Sequence, residues 1–363
     1  MVKPRNPLYG IEICEHGGKV ESDKKSEVID FSVNLNPYGP PDFVFDVIKE
    51  AMAEINKYPD TECSELREKI SRKFGCGKEE VLVGAGVSEL IQLVALSFVK
   101  HRALMLKHTY GEYEVAAKMV GAKTKRIEMP AVQINPEAIV AGMMKDDVVF
   151  LCNPNNPTGQ YLGKNEIEQI IAEAEMVDAL VVMDEAYVDF VRNAFPSHDM
   201  ISSTQNLIIL RSLTKSFAIP GVRVGYAISS EENIREMRKI KAPWNVSAFA
   251  QKIGIAVIGA EGDDFLVRTV EKIEMSKKKM EEAFGGAIRS DANFYIFDVC
   301  DGKASASASA SEVKRELLKH GLMVRDCASF GLPAHIRFSV KKDEENELLI
   351  HFLLEKEHVL RKQ

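Results

Sequence analysis

The chain has few of the residues that announce a metal centre, a disulfide scaffold or a nucleotide site. It holds one tryptophan, eight histidines and six cysteines in 363 residues. Cys14, Cys63, Cys76, Cys152, Cys300 and Cys327 are scattered, with no CxxC pair and no ligand spacing, which argues for reduced thiols rather than a zinc or disulfide framework. Excess positive charge is missing too: 47 Lys and Arg against 54 Asp and Glu leave a net charge of −7. That balance excludes an extended nucleic-acid surface or a polybasic membrane patch, so any anion must be captured locally. No apolar run approaches membrane-spanning length, and the opening MVKPRNPLYGIEICEHGG lacks the apolar core of a signal peptide. The expected setting is the cytoplasm, with no membrane and no nucleic acid as partner.

What remains is an ordinary globular composition, 45% hydrophobic and 28% charged, in a chain long enough that two domains are the default. FVFDVIKEAMAEI (43–55) and SELREKISRKF (64–74) have helical spacing of apolar residues. From Val81 onward, short apolar runs alternate with helical patterns: VLVGAG with SELIQLVALSFV, ALML with YEVAAKMV, VVFLCNPNNPTG with KNEIEQIIAEAE. That alternation predicts an α/β fold whose mostly parallel sheet is covered by helices on both faces. After KAPWNVSAFAQ the rhythm changes, and the remainder reads as a smaller α+β domain. The expected division is an N-terminal arm over 1–42, a large domain over 43–243 and a small domain over 244–363. The ASASASAS segment (304–311) offers little to bury, so a loop leading to a helix cap at Ser311 is expected.

Ligands of such sheets bind beyond the carboxyl ends of the strands, and here those ends carry the unusual residues. GAGVSEL is a glycine-rich turn feeding a helix, whose free N–H groups at Gly86, Val87 and Ser88 can cradle an anion; it matches neither GxGxxG nor a P-loop lysine. NPNNPTG can hold the Asn156 amide at a ligand, although its prolines also suit a rigid turn. Asp184, in VVMDEAY, ends an apolar strand, where a carboxylate must find a positive partner. In SLTKSFAIPGVRVGY, Lys215 and Arg223 stand in an apolar run, costly places for cations unless something anionic or covalent meets them. One ligand satisfies all of these demands. Pyridoxal 5′-phosphate has an aldehyde for Lys215, a ring nitrogen for Asp184 and a phosphate for Ser212, Arg223 and the Gly86–Ser88 turn. No metal is called for.

NKYPD, NPNNPTG, DEAY, SLTKSFAIPGVRVGY and PWNV, in their order, resemble the fold-type I aminotransferase superfamily, on the branch of histidinol-phosphate aminotransferases and threonine-phosphate decarboxylases. The resemblance implies that Asn156 and Tyr187 bond the cofactor's phenolic oxygen and that Tyr110, in HTYGEY, stacks on its ring. It also implies a homodimer in which Tyr58 reaches the phosphate of the neighbouring subunit's cofactor. Thr214 stands where the family usually has serine and keeps the hydroxyl; Val87 replaces a small or polar residue but keeps its N–H. Arg325 in LMVRDC and Arg337 in AHIRFSV match substrate-anion positions.

The lead segment separates the two branches. EHGG followed by VIDFSVNLNPYGPP resembles the decarboxylase pattern, with Leu35 where an aminotransferase typically carries glutamate, and it implies that His16 and Asn34 help hold a substrate phosphate. The expected reaction is therefore decarboxylation of L-threonine O-3-phosphate to (R)-1-amino-2-propanol O-2-phosphate, a cobalamin precursor. The alternative is transfer of an amino group from histidinol phosphate to 2-oxoglutarate. A non-catalytic, cofactor-sensing regulator is the third expectation, disfavoured because Lys215, Asp184 and Arg223 are all kept and no helix-turn-helix precedes the arm.

Overall fold

The computed structural model describes residues 7–8, 11–14, 17–18, 28–300 and 309–355. A two-residue strand, β1 (Ile29–Asp30), precedes the main sheet. That sheet is built from β2 (Val81–Gly84), β3 (Arg102–Leu106), β4 (Lys123–Ile127), β5 (Val148–Cys152), β6 (Leu180–Asp184), β7 (Leu207–Ser212) and β8 (Gly225–Ser229). Its order is β2-β8-β7-β6-β5-β3-β4. Strands β7, β6, β5, β3 and β4 run parallel, whereas β8 is antiparallel to both β7 and β2. Every residue of β2, β5 and β8 is buried, as a sheet covered on both faces requires. Two apolar clusters lie on the two faces: Val149, Leu151, Val181, Met183 and Ile209 point to one side, Phe150, Val182, Ile208 and Leu210 to the other.

The second unit is a three-stranded antiparallel sheet of β9 (Phe294–Asp298), β11 (Arg325–Asp326) and β12 (His335–Ser339) in the order β11-β12-β9; β10 (Leu322–Met323) pairs in parallel with β1. Phe31, Phe294, Tyr295 and Phe338 centre its core. The apolar core does not change hands at residue 243. Val246 and Ala250, Ile253 and Val257 of the helix Ala248–Val257 belong to the large-domain cluster, and that helix packs on Asp42–Ala51 and Ser64–Phe74. The long helix Ala260–Ala283 spans the change, with Phe265 in the large cluster and Ile273 and Met280 in the small one.

Residues 304–308 of the ASASASAS segment lie outside the described residues. The cap expected at Ser311 is made by Ser309. Its N–H donates to the Glu312 carboxylate at 2.7 Å while its hydroxyl accepts from the Glu312 N–H, a reciprocal box that starts the helix at Ala310. Ser309 wins because Glu stands three residues after it. Among the described residues no helix is long and apolar enough to cross a membrane.

Candidate active site

The carboxyl ends of β2, β5, β6 and β7 surround one cavity of about 850 Å³. Val87, Ser88, Asn156, Asp184, Ser212 and Lys215 all line it, and Tyr110, Tyr187, Arg223, Asn34, Arg325 and Arg337 complete the wall.

After β2 the chain turns at Gly86, which has φ +84°, and enters the helix Val87–Phe98. Gly86 is the cap, and a Cβ there would lie 2.5 Å from Nη2 of Arg223. The guanidinium therefore lies over the bare backbone of the turn, beside the helix N-terminus at Val87 and Ser88, a donor set that grips phosphate; the Gly86 N–H itself donates to the Gly84 carbonyl at 2.7 Å. Arg223 itself has φ +60°, in the left-handed region where an L-residue is strained, and its Nη1 donates to the Pro220 carbonyl at 3.3 Å. At the end of β7, the Ser212 hydroxyl caps the short helix Leu213–Ser216 and lies 2.8 Å from the Thr214 hydroxyl. Lys215 is thereby fixed one residue beyond that pair.

The Lys215 amine is held down to about 8, first by burial and then by the fields of Arg337 and Arg223, which outweigh the opposing Asp184. Asp184 moves the other way: burial raises it to about 6, although the Tyr113 hydroxyl donates to Oδ2 at 2.7 Å and the Ala186 N–H to Oδ1 at 3.0 Å. Its neighbour Glu185 turns away and pairs with Arg211 at 2.6 Å, the carboxylate buried and the arginine half-buried. The two acids of DEAY thus have separate tasks, one facing the cavity and one anchoring β7. The asparagines of NPNNPTG divide likewise. Asn153 bonds both backbone groups of Leu162, and Asn155 bonds Thr109, Thr158 and the His108 carbonyl; Asn156 alone of the three lines the cavity.

From the small domain come Arg325 and Arg337, register partners across β11 and β12. Nη1 of Arg337 donates to Oδ1 of Asn156 and Nη2 to the Ser32 carbonyl at 2.6 Å, while Nε is buried without a hydrogen-bond partner. Arg325 donates to the Ser329 hydroxyl at 2.7 Å, and Phe330 stands 5.8 and 5.9 Å from the two guanidinium carbons. Asn34 is buried beside the Tyr187 hydroxyl, with neither end of its amide in a well-formed hydrogen bond. The Tyr187 phenol is pushed up to about 12, first by burial.

Among the described site residues, Gly86 touches Arg223 without lining the cavity, and Tyr58 is not brought to it. Tyr58 is 80% exposed and stacks on Trp244, ring centroids 4.5 Å apart, away from the wall of its own chain. His16 lies outside the described residues. Sequence reasoning missed Tyr113, which holds Asp184, and Ser32, which holds Arg337.

A family model described as "Aminotransferase class I and II" matches residues 26–353. The chain belongs to that family. As a class I and II aminotransferase-family protein it uses pyridoxal phosphate, and the residues present fit that group. Asp184 supplies a buried carboxylate for a ring nitrogen, Lys215 an amine held near neutrality, and the turn at Gly86 an open cradle that a Cβ would fill. Over 351 residues the chain is 32% identical to a "Putative threonine-phosphate decarboxylase" of Caldanaerobacter subterraneus subsp. tengcongensis, covering 93% of each chain. It is 30% identical to "Histidinol-phosphate aminotransferase 2" of Pasteurella multocida, covering 92% of this chain and 91% of that one. Among solved structures, the histidinol-phosphate aminotransferase of Clostridium acetobutylicum superposes with a TM-score of 0.81 at 26% identity, over 91% of this chain and 99% of that one. The family fold, a mostly parallel sheet between helices with a smaller C-terminal sheet unit, is the one expected.

Proposed function

We propose that this protein decarboxylates L-threonine O-3-phosphate to (R)-1-amino-2-propanol O-2-phosphate, a precursor for cobalamin synthesis. The observation that carries a phosphorylated substrate is the pair Arg325 and Arg337, buried side by side in the cavity wall. Arg337 spends two donors on neutral oxygens, so its charge stays available to a ligand. Two adjacent buried guanidinium groups suit a dianion such as a phosphate monoester better than a single carboxylate.

The bound cofactor supplies an electron-withdrawing ring that weakens whichever substrate bond at Cα stands perpendicular to it. The chain's own residues choose that bond by orientation. With Arg325 and Arg337, aided by Asn34 and His16, holding the phosphate, the substrate carboxylate is left to stand out of the ring plane. Lys215 would link to the cofactor's aldehyde, Asp184 would hold the ring nitrogen, and Ser212, Arg223 and the N–H groups of Val87 and Ser88, in the turn made by Gly86, would hold the cofactor phosphate. Asn156 and Tyr187 take the phenolic oxygen and Tyr110 the ring face. The arm 1–42, the large domain and the small domain would each contribute to one site, completed in a cytoplasmic homodimer by Tyr58 of the second copy.

Similarity at nearly equal level to a histidinol-phosphate aminotransferase supports a second reading, amino transfer from histidinol phosphate to 2-oxoglutarate. Against it stands Leu35 between Asn34 and Asn36, an apolar side chain where the aminotransferase pattern has an acid. The test is to supply threonine phosphate without any keto acid and measure carbon dioxide. Release of carbon dioxide is the expected result. Turnover only of histidinol phosphate with 2-oxoglutarate overturns the decarboxylase reading.

A further inference from the structure

One fully buried residue that touches the cavity wall has no role in the scheme above. Tyr113 is fully buried, and its hydroxyl donates to Oδ2 of Asp184 at 2.7 Å, joining positions 71 residues apart. Its ring cannot swing away. It stacks on Phe150, centroids 5.3 Å apart and planes within 6°, and meets Tyr110 edge-on at 5.5 Å. The Cys152 sulfur also lies beside the same hydroxyl, while its own proton goes to the Pro154 carbonyl at 3.1 Å. A thiol sulfur is a weak acceptor, and the strong one facing the phenol is the Asp184 carboxylate.

We infer that Tyr113 is a positioning residue for the cofactor's ring nitrogen: its hydroxyl, with the Ala186 N–H, fixes the plane of the Asp184 carboxylate and keeps it anionic. A carboxylate oxygen accepts about two hydrogen bonds, so Oδ1 and Oδ2, each holding one donor, retain capacity toward the cavity. Burial favours the neutral acid, which cannot stabilise a protonated ring nitrogen; the two donors oppose that tendency. The phenol lies behind the carboxylate and does not touch the ring itself. Tyr113 plays this part whichever substrate the site takes.

The test compares two probes on cofactor-free protein by absorbance titration: pyridoxal phosphate, and its 1-deaza analogue, in which carbon replaces the ring nitrogen. Tyr113→Phe keeps the ring and removes one hydrogen bond to a charged group. It is expected to weaken pyridoxal phosphate by about tenfold or more while changing the deaza analogue by no more than roughly twofold. Tyr113→Leu covers the case in which the phenylalanine variant folds poorly, because lost packing weakens both probes equally and the tenfold change in their ratio must persist. A second signature is the nitrogen-15 resonance of ring-labelled cofactor, expected to move from the pyridinium toward the neutral position in Tyr113→Phe. Equal weakening of both probes would show a packing role only, and no weakening of either would show an idle hydroxyl; each overturns the inference.

Discussion

Arg223 and Gly86 are in contact so close that the glycine's missing side chain is what admits the guanidinium: a Cβ at residue 86 would stand 2.5 Å from Nη2. The backbone there, at φ +84°, independently disfavours any side chain. Gly86→Ala is therefore expected to displace Arg223 and weaken pyridoxal phosphate by about tenfold or more, since charge-assisted hydrogen bonds are the ones lost. Pyridoxal, which lacks the phosphate, should bind the variant and the parent within about twofold of each other. Equilibrium dialysis with both ligands decides it. A matching loss for pyridoxal would remove Arg223 from the phosphate.

Lys215 gives a pH prediction with a definite sign. Burial and the fields of Arg337 and Arg223 disfavour its ammonium form and bring it to about 8 in the cofactor-free protein. The neutral amine, the only form that can attack an aldehyde, therefore accumulates as pH rises through that value. Capture of pyridoxal phosphate, followed by stopped-flow absorbance, should speed up with pH and level off above about 8, where a lysine at its ordinary value of about 10.4 would still be climbing. Arg337→Met removes a neighbouring cation and should move the inflection upward. Lys215→Ala should bind the cofactor without the visible band of its covalent linkage.

Arg337 also predicts a loss of substrate discrimination. Truncation to alanine removes a buried charge and leaves Asn156 Oδ1 and the Ser32 carbonyl without their donor. The expected fall in kcat/KM for threonine phosphate is about a hundredfold or more. The preference for threonine phosphate over threonine should collapse with it. Arg337→Lys keeps the charge but not the planar fork, and should restore only part of the loss. Steady-state kinetics on both amino acids measures this; an unchanged preference would place the phosphate elsewhere.

The sequence made the parallel strands legible because β5 and β6 are apolar and buried almost throughout, which is what a doubly covered sheet demands. Strand β4, KTKRI, escaped notice for the opposite reason. It is an edge strand and, unlike β2 at the other edge, largely exposed, so its residues carry no apolar run. Strand β8 was masked by its own first residue, a glycine following the GVRV turn. At the site, residue types with one plausible chemical use, Lys215 and Asp184, could be read directly. Which asparagine of NPNNPTG faces the cavity could not, because that depends on partners such as Thr109 and Leu162 that only folding brings near. Tyr113 was hidden likewise: a buried tyrosine is an ordinary core residue until its hydroxyl is seen on a carboxylate.

Tyr58 and Trp244 form an exposed aromatic pair, 80% and 47% accessible, outside the cavity wall of their own chain. Exposure of stacked aromatics is expected where a second copy docks. If Tyr58 serves the neighbouring site, defects at Tyr58 and Lys215 must complement each other. Tyr58→Ala and Lys215→Ala homodimers should each bind cofactor poorly or inactively. In the mixed dimer one site combines the Lys215 of one chain with the Tyr58 of the other, and the remaining site carries both defects. Unfolding and refolding a one-to-one mixture should therefore restore wild-type character to about a quarter of all sites, given random pairing in a two-fold dimer. Activity and cofactor content of the mixture give the count, and the purified heterodimer should show about half of its sites restored. A mixture no better than the average of its parents would place Tyr58 outside the shared site.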